Sequence, residues 1–255
     1  DGIEAVDTCG TGGDGAGTVN LSTACAFVLA ACGVPVAKHG NRAMSSKCGS
    51  IDVLEALGVP LAADPGAARR HLALHRLAFL PAPAFHPGVG EMTPVRRALG
   101  IRTVFNLAGP LANPAGVRRQ LVGVGAPAWQ RPVAEALRAL GAVRACVAHA
   151  PGLDELTTEG ESLLLWVSPE GIREERVRPE TLGMQPAPVS RLKAGDPAVS
   201  AAILREALAG KGDEAVRGAI ALNAACALRV ADERLDWKTA LARAKECLAS
   251  SAAAA

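Results

Sequence analysis

Tyrosine is missing from this 255-residue chain, and phenylalanine and tryptophan supply only 3% of it. Because sequence-tolerant binding of single-stranded nucleic acid relies on aromatic side chains that stack against bases, the composition argues against that class. No uninterrupted apolar run reaches the roughly 18 residues that a membrane-spanning helix needs. The net charge of +2 is also too small to indicate a nucleic-acid or membrane surface. We therefore expect a soluble globular protein that binds neither nucleic acid nor membrane, with any anion site confined to a local cluster.

The seven cysteines are odd in number and scattered, and they include no CxxC pair. This pattern argues against a disulfide framework and against a zinc site, and it predicts a reducing, cytoplasmic location. The first residues, "DGIEAVD", have neither the basic nor the apolar segment of a secretory signal, and they lack an initiator methionine. We expect no secretory signal and a missing upstream segment.

Short apolar runs alternate with helical patterns along the chain. The runs cover residues 3–8, 34–38, 77–82, 120–125, 143–150 and 162–168. Such alternation predicts an α/β fold with a mostly parallel central sheet flanked by helices on both faces. Residues 1–255 are expected to form one such domain.

Helix starts are indicated where proline follows an aspartate, at Asp64 and at Asp196, and also at Pro127. The alanine-rich last third predicts two further helices, over residues 213–231 and 236–250, of which the first is apolar nearly all round and should be buried. The Pro/Gly-rich residues 106–119 are expected to be a connecting loop. The terminal "SSAAAA" is expected to fray.

A glycine-rich loop, "GTGGDGAGTVNLST" at residues 10–23, follows the first predicted strand and leads into a helix. Strand, glycine loop and helix N-terminus together present backbone N–H groups to a phosphate. A dinucleotide fingerprint fits poorly, because the many glycines make a GxGxxG match easy and Asp14 would lie beside the pyrophosphate. The lysine-containing phosphate loop is absent. On the glycines alone, a plain tight turn remains an alternative.

A second polar loop, "KHGNRAMSSKCGS" at residues 38–50, places three cations, an amide and several hydroxyls at the end of another predicted strand. Charge-assisted hydrogen bonds from such groups suit a polyanion. In a parallel sheet, ligands bind beyond the carboxyl ends of the strands, where both loops would meet. By itself this second loop could equally be a solvated charged segment.

Together the two loops resemble those of the anthranilate phosphoribosyltransferase family of tryptophan biosynthesis. "FHPGVGEMTPVRRALGIRTVFNLAGPLANP", residues 85–114, is similar to the family segment with the anthranilate-contacting arginine, matched by Arg96. "PGLDELTTEG", residues 151–160, resembles the family's acidic magnesium motif, matched by Asp154 and Glu155. The resemblance extends from the first residues to about residue 230. It implies a nucleoside phosphorylase/phosphoribosyltransferase-like fold and a homodimer. The small helical domain would be incomplete, with a remnant contribution from residues 85–105.

The resemblance further implies transfer of the phosphoribosyl group from phosphoribosyl pyrophosphate (PRPP) to the amine of anthranilate, with Mg²⁺ as cofactor. Residues of both loops would bind PRPP: Gly10, Gly13, Asp14, Thr18, Asn20, Ser22, Thr23, Lys38, His39, Gly40, Asn41, Arg42, Ala43, Met44, Ser45, Ser46 and Ser50. Anthranilate would contact Gly10, Asn41 and Arg96, and magnesium would contact Ser22, Asp154 and Glu155. Cys48 stands where the family commonly has serine. We assign no general acid or base, because an anilinic amine is already unprotonated at neutral pH.

Two other functions stay open at this stage. One is an enzyme like the pyrimidine nucleoside phosphorylases, which phosphorolysis of thymidine or uridine would reveal. The other is a phosphoribosyltransferase-like protein that binds nucleic acid, which salt-sensitive oligonucleotide binding would reveal. Arg96 and the acidic pair Asp154 and Glu155 favour the anthranilate enzyme.

Replacing Arg96 by alanine is expected to raise the KM for anthranilate by roughly one to two orders of magnitude, because a neutral side chain cannot replace a guanidinium that pairs with a carboxylate. The KM for PRPP should change far less. Steady-state kinetics with each substrate varied in turn measures both constants. Equal effects on the two constants would show that the assigned role is wrong.

Overall fold

A computed structural model describes residues 4–43, 47–99 and 103–254 of the chain. Its centre is a seven-stranded sheet in the order β3-β2-β1-β4-β5-β6-β7. Strands β1 to β5 are parallel, and β6 and β7 are antiparallel additions at one edge. The strands are β1 (Val6–Gly10), β2 (Val36–Gly40), β3 (Leu77–Pro81), β4 (Arg119–Gly123), β5 (Arg144–His149), β6 (Ser162–Ser168) and β7 (Gly171–Val177). The mostly parallel sheet of the sequence analysis is confirmed.

The helices lie between the strands and after the last strand in chain order. They are α1 (Leu21–Ala31), α2 (Ser50–Leu57), α3 (Pro65–His75), α4 (Ala82–Phe85), α5 (Pro87–Glu91), α6 (Thr93–Leu99), α7 (Val104–Leu111), α8 (Gln130–Ala139), α9 (Pro197–Leu208), α10 (Glu214–Ala231) and α11 (Trp237–Ala249). Short 3₁₀ turns cover Pro127–Trp129, Pro179–Leu182, Val189–Leu192 and Ala252–Ala254. No helix in the described ranges is long and apolar enough to cross a membrane.

Side chains of the inner strands alternate between two apolar layers. In β5, Ala145 and Val147 pack in one cluster with residues of α8, whereas Cys146 and Ala148 join the larger cluster formed with α1, α10 and α11. Parallel strands buried on both faces are apolar at nearly every position. This explains why these strands are visible in the sequence as short uninterrupted apolar runs.

The predicted helix starts are confirmed at two aspartates that precede proline. The Asp64 carboxylate accepts a hydrogen bond from the Ala67 N–H at 2.8 Å, and that of Asp196 accepts one from the Val199 N–H at 2.9 Å. The predicted helix 213–231 is α10, and most of its side chains are buried, as its nearly all-apolar surface requires. The predicted start at Pro127 is a 3₁₀ turn that leads into α8.

Three features differ from the sequence-based expectations. Strand β7 escaped prediction because it is an exposed edge strand with four charged residues among seven. Residues 106–111 of the expected connecting loop belong to α7, which tolerates Pro110 in its last turn. The prediction that the terminal residues fray is wrong for 251–254, because Ala253 is buried and the Ser251 hydroxyl donates to the Ala209 carbonyl at 2.9 Å.

The guanidinium of Arg229 lies against the rings of two tryptophans, where the antiparallel strands β6 and β7 meet α10 and α11. The Arg229 guanidinium lies 4.7 Å from the ring centre of Trp166 and 4.5 Å from that of Trp237. The Glu175 carboxylate accepts hydrogen bonds from both indole N–H groups, at 2.6 and 2.7 Å, and lies 3.4 Å from Arg229 Nη1. Cation–π and ionic contacts thus join β6, β7, α10 and α11.

Replacing Arg229 by methionine is expected to lower the free energy of unfolding by about 2 kcal/mol, because Glu175 loses the less exposed of its two arginine partners and Trp237 loses its cation. Trp166 keeps a contact with Arg144. Urea denaturation measures the change. The matched control is Arg131→Met, which removes an exposed arginine paired with Glu135 at 2.8 Å and should cost about 0.5 kcal/mol or less. Similar losses in the two variants would contradict the role given to the cluster.

Candidate active site

The two polar loops meet where the chain order of the sheet reverses. Strands β1, β2 and β3 follow one another in one direction, and β4 then pairs with the other side of β1. At such a switch point, loops at the carboxyl ends of adjacent strands diverge and leave a crevice for ligands. A cleft of about 310 Å³ lies there and is lined by residues of both loops. The expectation that the loops share one edge of the sheet is confirmed.

Two glycines at the ends of β1 and β4 let a third segment pass directly over the strands. A Cβ atom on Gly10 would overlap the Asp154 carboxylate, and one on Gly123 would overlap the Asp154 backbone. The approach allows the Gly12 N–H to donate to Asp154 Oδ2 at 2.7 Å. Any side chain at Gly10 or Gly123 would displace the acidic segment from the cleft.

The segment that carries Asp154 and Glu155 is held by hydrogen bonds to a buried side-chain amide on α10. Asn223 is fully buried, and its side chain both accepts from the Leu156 N–H at 2.9 Å and donates to the Leu156 carbonyl at 3.0 Å. Next to Leu156, the Glu155 carboxylate accepts from the Ser22 N–H at 3.2 Å. Both carboxylates of the acidic pair therefore reach the glycine-rich loop and the start of α1.

Burial and neighbouring charges disfavour the ionised forms of Asp154 and Glu155. Burial, reinforced by the charge of Asp14, raises the pKa of Asp154 to about 7. Burial and the charge of Asp154 raise the pKa of Glu155 to about 8, although Lys38 acts in the opposite direction. Within the described residues, no three His, Cys, Asp or Glu side chains form a ready-made metal cluster. The pair is a site that a cation would stabilise, with part of the coordination left to other ligands.

Two cations of the second loop, Lys38 and Arg42, already contact other groups of the protein. Lys38 is buried below the glycine-rich loop, where its Nζ donates to the Thr8 carbonyl and to the Ser22 hydroxyl. Arg42 is exposed and pairs with Glu55 at 2.6 Å and with Asp52 at 3.2 Å. The positive charge that faces the cleft is therefore partly balanced by carboxylates of α2.

An apolar wall with two histidines faces the two polar loops. The His39 Nδ1 lies 3.0 Å from the Gly109 carbonyl, so Nδ1 carries the hydrogen and donates. Burial lowers the pKa of His39 to about 4, which leaves the ring neutral with a lone pair on Nε2. This atom and the Nε2 of His86, whose ring centre is 5.1 Å away, are buried without a hydrogen-bond partner among the described residues. Apolar parts of α4 and α7, including Ala82, Phe105 and Ala108, complete the wall.

A buried carboxylate anchors this wall to the sheet. Asp7 is fully buried, and it accepts from the His39 N–H at 3.2 Å and from the Asn113 amide at 2.7 Å. Asn113 also donates to the Ala37 carbonyl at 2.8 Å. Gln120 adds a donor to the Pro110 carbonyl at 2.7 Å. Polar groups of β1, β2 and β4 thus satisfy the carboxyl end of α7 and the loop that follows it.

The cleft brings together most of the residues that the sequence singled out. It is lined by Gly10, Gly13, Asp14, Thr18, Asn20, Ser22, Lys38, His39, Gly40, Asn41, Arg42, Ala43, Ser50, Asp154 and Glu155. Thr23 is not among the lining residues, because it is fully buried on the inner side of α1. Met44, Ser45, Ser46 and the Arg96 side chain lie outside the described residues.

Further lining groups were not assigned to a ligand in the sequence analysis, although many of them belong to the two polar loops. They are Cys9, Thr11, Gly12, Gly17, Val19, Leu21, Lys47, Cys48, Gly49, Ala82, His86, Phe105, Asn106, Ala108, Gly109, Pro110, Ala112, Ala194 and Gly195. Residues 82–86 could have been recognised from the sequence, because they lie at the carboxyl end of a predicted strand, on the edge of the sheet where ligands bind. Residues 194 and 195 had no such signal, because they follow the sheet in the chain.

Comparison with known proteins agrees with this arrangement. Residues 2–254 match the model of the glycosyl transferase family, a/b domain, which is the class that the sheet and its anion-binding cleft define. An anthranilate phosphoribosyltransferase of Synechococcus sp. (strain JA-3-3Ab) is 52% identical over 249 residues, which are 97% of this chain and 73% of the relative. The chain belongs to the anthranilate phosphoribosyltransferase family.

Two solved structures of the same family show the same fold. The enzyme from Thermus thermophilus superposes with a TM-score of 0.91 at 46% identity, covering 98% of this chain and 74% of that one. The enzyme from Saccharomyces cerevisiae, in complex with PRPP and Mg, gives a TM-score of 0.88 at 29% identity, covering 98% and 70%.

The raised pKa of Asp7 predicts a pH-dependent contribution to stability. Burial raises this pKa from 3.8 to about 6, so the folded state favours the protonated form. The stability that this provides is complete below pH 4 and is lost as the pH rises through about 6, a change of about 3 kcal/mol. In Asp7→Asn this component should disappear, and the variant should gain stability relative to the wild type between pH 4 and 7. Urea denaturation across this range, with EDTA present, measures the difference.

Asp232→Asn is the control for Asp7→Asn. Asp232 hydrogen-bonds to Arg234, and this contact lowers its pKa to about 2, so its contribution is lost only below pH 4. Stability curves of wild type and Asp7→Asn that run parallel between pH 4 and 7 would contradict the assignment.

Proposed function

We propose that this protein transfers the phosphoribosyl group of PRPP to the amine of anthranilate, giving N-(5-phosphoribosyl)anthranilate and pyrophosphate in tryptophan biosynthesis. The observation that carries the proposal is the convergence of the glycine-rich loop, the acidic pair and the apolar wall on one cleft at the switch point of the sheet. Family membership supports this function over nucleoside phosphorolysis and over nucleic-acid binding.

PRPP would lie on the side of the cleft formed by the two polar loops. The glycine backbone permits close contact with phosphate oxygens, and Asn20, Asn41 and Ser50 offer amide and hydroxyl groups at the same edge. Met44, Ser45, Ser46 and Thr23 remain assigned to PRPP by resemblance alone. The yeast relative in complex with PRPP and Mg supports this choice of donor.

The donor set suits magnesium. Asp154 and Glu155 present hard oxygen ligands, and Glu155 also accepts a hydrogen bond from the Ser22 N–H. The Ser22 hydroxyl accepts from Lys38 Nζ at 3.3 Å, and it remains assigned to magnesium by resemblance. Magnesium is commonly held by one or two carboxylates together with substrate phosphates, which fits a site that offers no complete metal cluster of its own. When bound, the ion would neutralise charge that develops on the departing pyrophosphate.

Anthranilate would lie against the apolar wall. Phe105, Ala108 and His86 offer a surface for the ring. Asn41 and Gly10 border this region on the PRPP side. Arg96 is expected to pair with the carboxylate.

The reaction exchanges two bonds at the anomeric carbon. The C1–O bond breaks and its electron pair leaves with pyrophosphate, while the amine lone pair forms the new C1–N bond and the nitrogen then loses a proton. Because C1 becomes cationic as the leaving group gains charge, catalysis consists mainly of positioning and electrostatic stabilisation. The anilinic amine is already unprotonated at neutral pH, so no base has to remove a proton from it before it attacks.

Three further parts of the proposal concern the setting of the enzyme. A reducing, cytoplasmic location is supported by cysteines that are all free in the structure. A homodimer rests on the family resemblance, and sedimentation equilibrium tests it. The assignment of residues 85–105 to a small helical subdomain is supported by α5 and α6 and by the exposed apolar side chains of Met92 between them and of Val95 and Leu99 in α6.

The test is an assay with PRPP, Mg²⁺ and anthranilate, in which anthranilate fluorescence should fall only when all three are present with the protein. Glu155→Gln is the matched variant, because it keeps an acceptor for the Ser22 N–H and removes the negative charge. Its rate of anthranilate consumption should be at least about tenfold lower than that of the wild type. Phosphorolysis of uridine or thymidine without consumption of anthranilate would overturn the proposal. Binding of PRPP without any turnover of anthranilate would refute its acceptor half.

A further inference from the structure

Asn20 occupies the N-cap position of α1 without capping that helix. An asparagine there usually accepts a hydrogen bond from the second or third N–H of its own helix. Here the side chain makes no such bond, and Oδ1 instead accepts from the Ser200 hydroxyl at 2.8 Å and from the Cys48 thiol at 3.3 Å. A residue that lines the cleft is thus oriented by a helix 180 residues further along the chain.

Ser200 is held rigidly. It is fully buried in the first turn of α9, whose start is fixed by the Asp196 cap. The segment before α9 is tied to the glycine-rich loop by backbone hydrogen bonds, from Val19 N–H to the Leu192 carbonyl at 2.8 Å and from Ala194 N–H to the Gly17 carbonyl at 2.9 Å. The hydroxyl therefore has a defined position relative to α1 and the cleft.

The two hydrogen bonds to Oδ1 decide which end of the amide is available. An asparagine side chain has an accepting and a donating end of nearly equal shape, and only the donating end suits a phosphate oxygen. With Oδ1 engaged by Ser200 and Cys48, the Nδ2 group is the end left for the cleft, and its one hydrogen bond within the described residues is a long one of 3.5 Å to the Cys48 carbonyl. Without the hydroxyl, the thiol is the remaining donor to Oδ1, and thiols are weak donors.

We propose that Ser200 is a positioning residue for the donor substrate, which fixes the Asn20 amide with its N–H groups toward a phosphate group of PRPP. This inference rests on the proposed function, because it takes PRPP as the ligand of the cleft. Although α9 lies outside the sheet and outside both polar loops, it would then affect the affinity for PRPP through Asn20.

Ser200→Ala should raise the Kd for PRPP, measured by calorimetry with Mg²⁺ present, by about fivefold, which corresponds to about 1 kcal/mol for one neutral hydrogen bond. The KM for anthranilate at saturating PRPP should stay unchanged. Ser251→Ala is the matched control, because it removes a hydroxyl that donates to Ala209 at the opposite end of the same helix. Its Kd for PRPP should equal that of the wild type.

A double-mutant cycle with Asn20→Ala shows whether Ser200 acts through Asn20. Once Asn20 is alanine, removal of the Ser200 hydroxyl should have no further effect on PRPP binding. Additive effects, an unchanged Kd in Ser200→Ala, or an equal rise in Ser251→Ala would each overturn the inference. A wild-type protein that does not bind PRPP would refute the proposed function and this inference with it, whereas normal binding by both wild type and Ser200→Ala would refute this inference alone.

Discussion

The candidate site depends on the close passage of the Asp154 segment over Gly10 and Gly123. These glycines end the two strands between which the order of the sheet reverses, so the contact lies at the one crevice that the topology creates. It brings carboxylates onto a loop whose N–H groups favour anions, and Gly12 and Ser22 already donate to them. Anion-binding and cation-binding groups are therefore placed within one cleft, as a magnesium–pyrophosphate ligand requires.

The same contact carries an electrostatic cost. The pKa values of Asp154 and Glu155 are raised because burial disfavours their charged forms, and because Asp14 repels Asp154 and Asp154 repels Glu155. Lys38, enclosed beneath the loop, offsets only part of this at Glu155. Asn223, a buried polar residue in the mostly apolar helix α10, helps to hold the arrangement in place by hydrogen bonds to the Leu156 backbone. A stable fold thus maintains a site that a bound cation would relieve, as is common where function opposes local stability.

The sequence was informative wherever one segment determines its own structure. Apolar runs identified the buried strands, and Asp64 and Asp196 marked helix starts, because both signals are local. The two polar loops and Asp154 were also visible as short motifs. Strand β7 was missed because an exposed edge needs no apolar run, and α7 was missed because Pro110 and its glycine suggested a loop. The partners of Asp7 and Asn20 could not be foreseen, since Asn113 and Ser200 are distant in the chain.

These distant partners show how the work of the site is divided. The ends of β1 and β2 and the loops that follow them supply many of the groups that line the cleft, and other elements determine the orientation of some of these groups. Gly109 of α7 fixes the tautomer of His39 by accepting from Nδ1, so the lone pair on Nε2 follows from backbone placement. Ser200 of α9 fixes the polarity of the Asn20 amide by donating to Oδ1. In both cases a side chain with two possible hydrogen-bonding states is restricted to one by a single contact from outside the loop. The orientation of His39 and Asn20 therefore depends on α7 and α9, and not only on the motifs that make the family visible in the sequence.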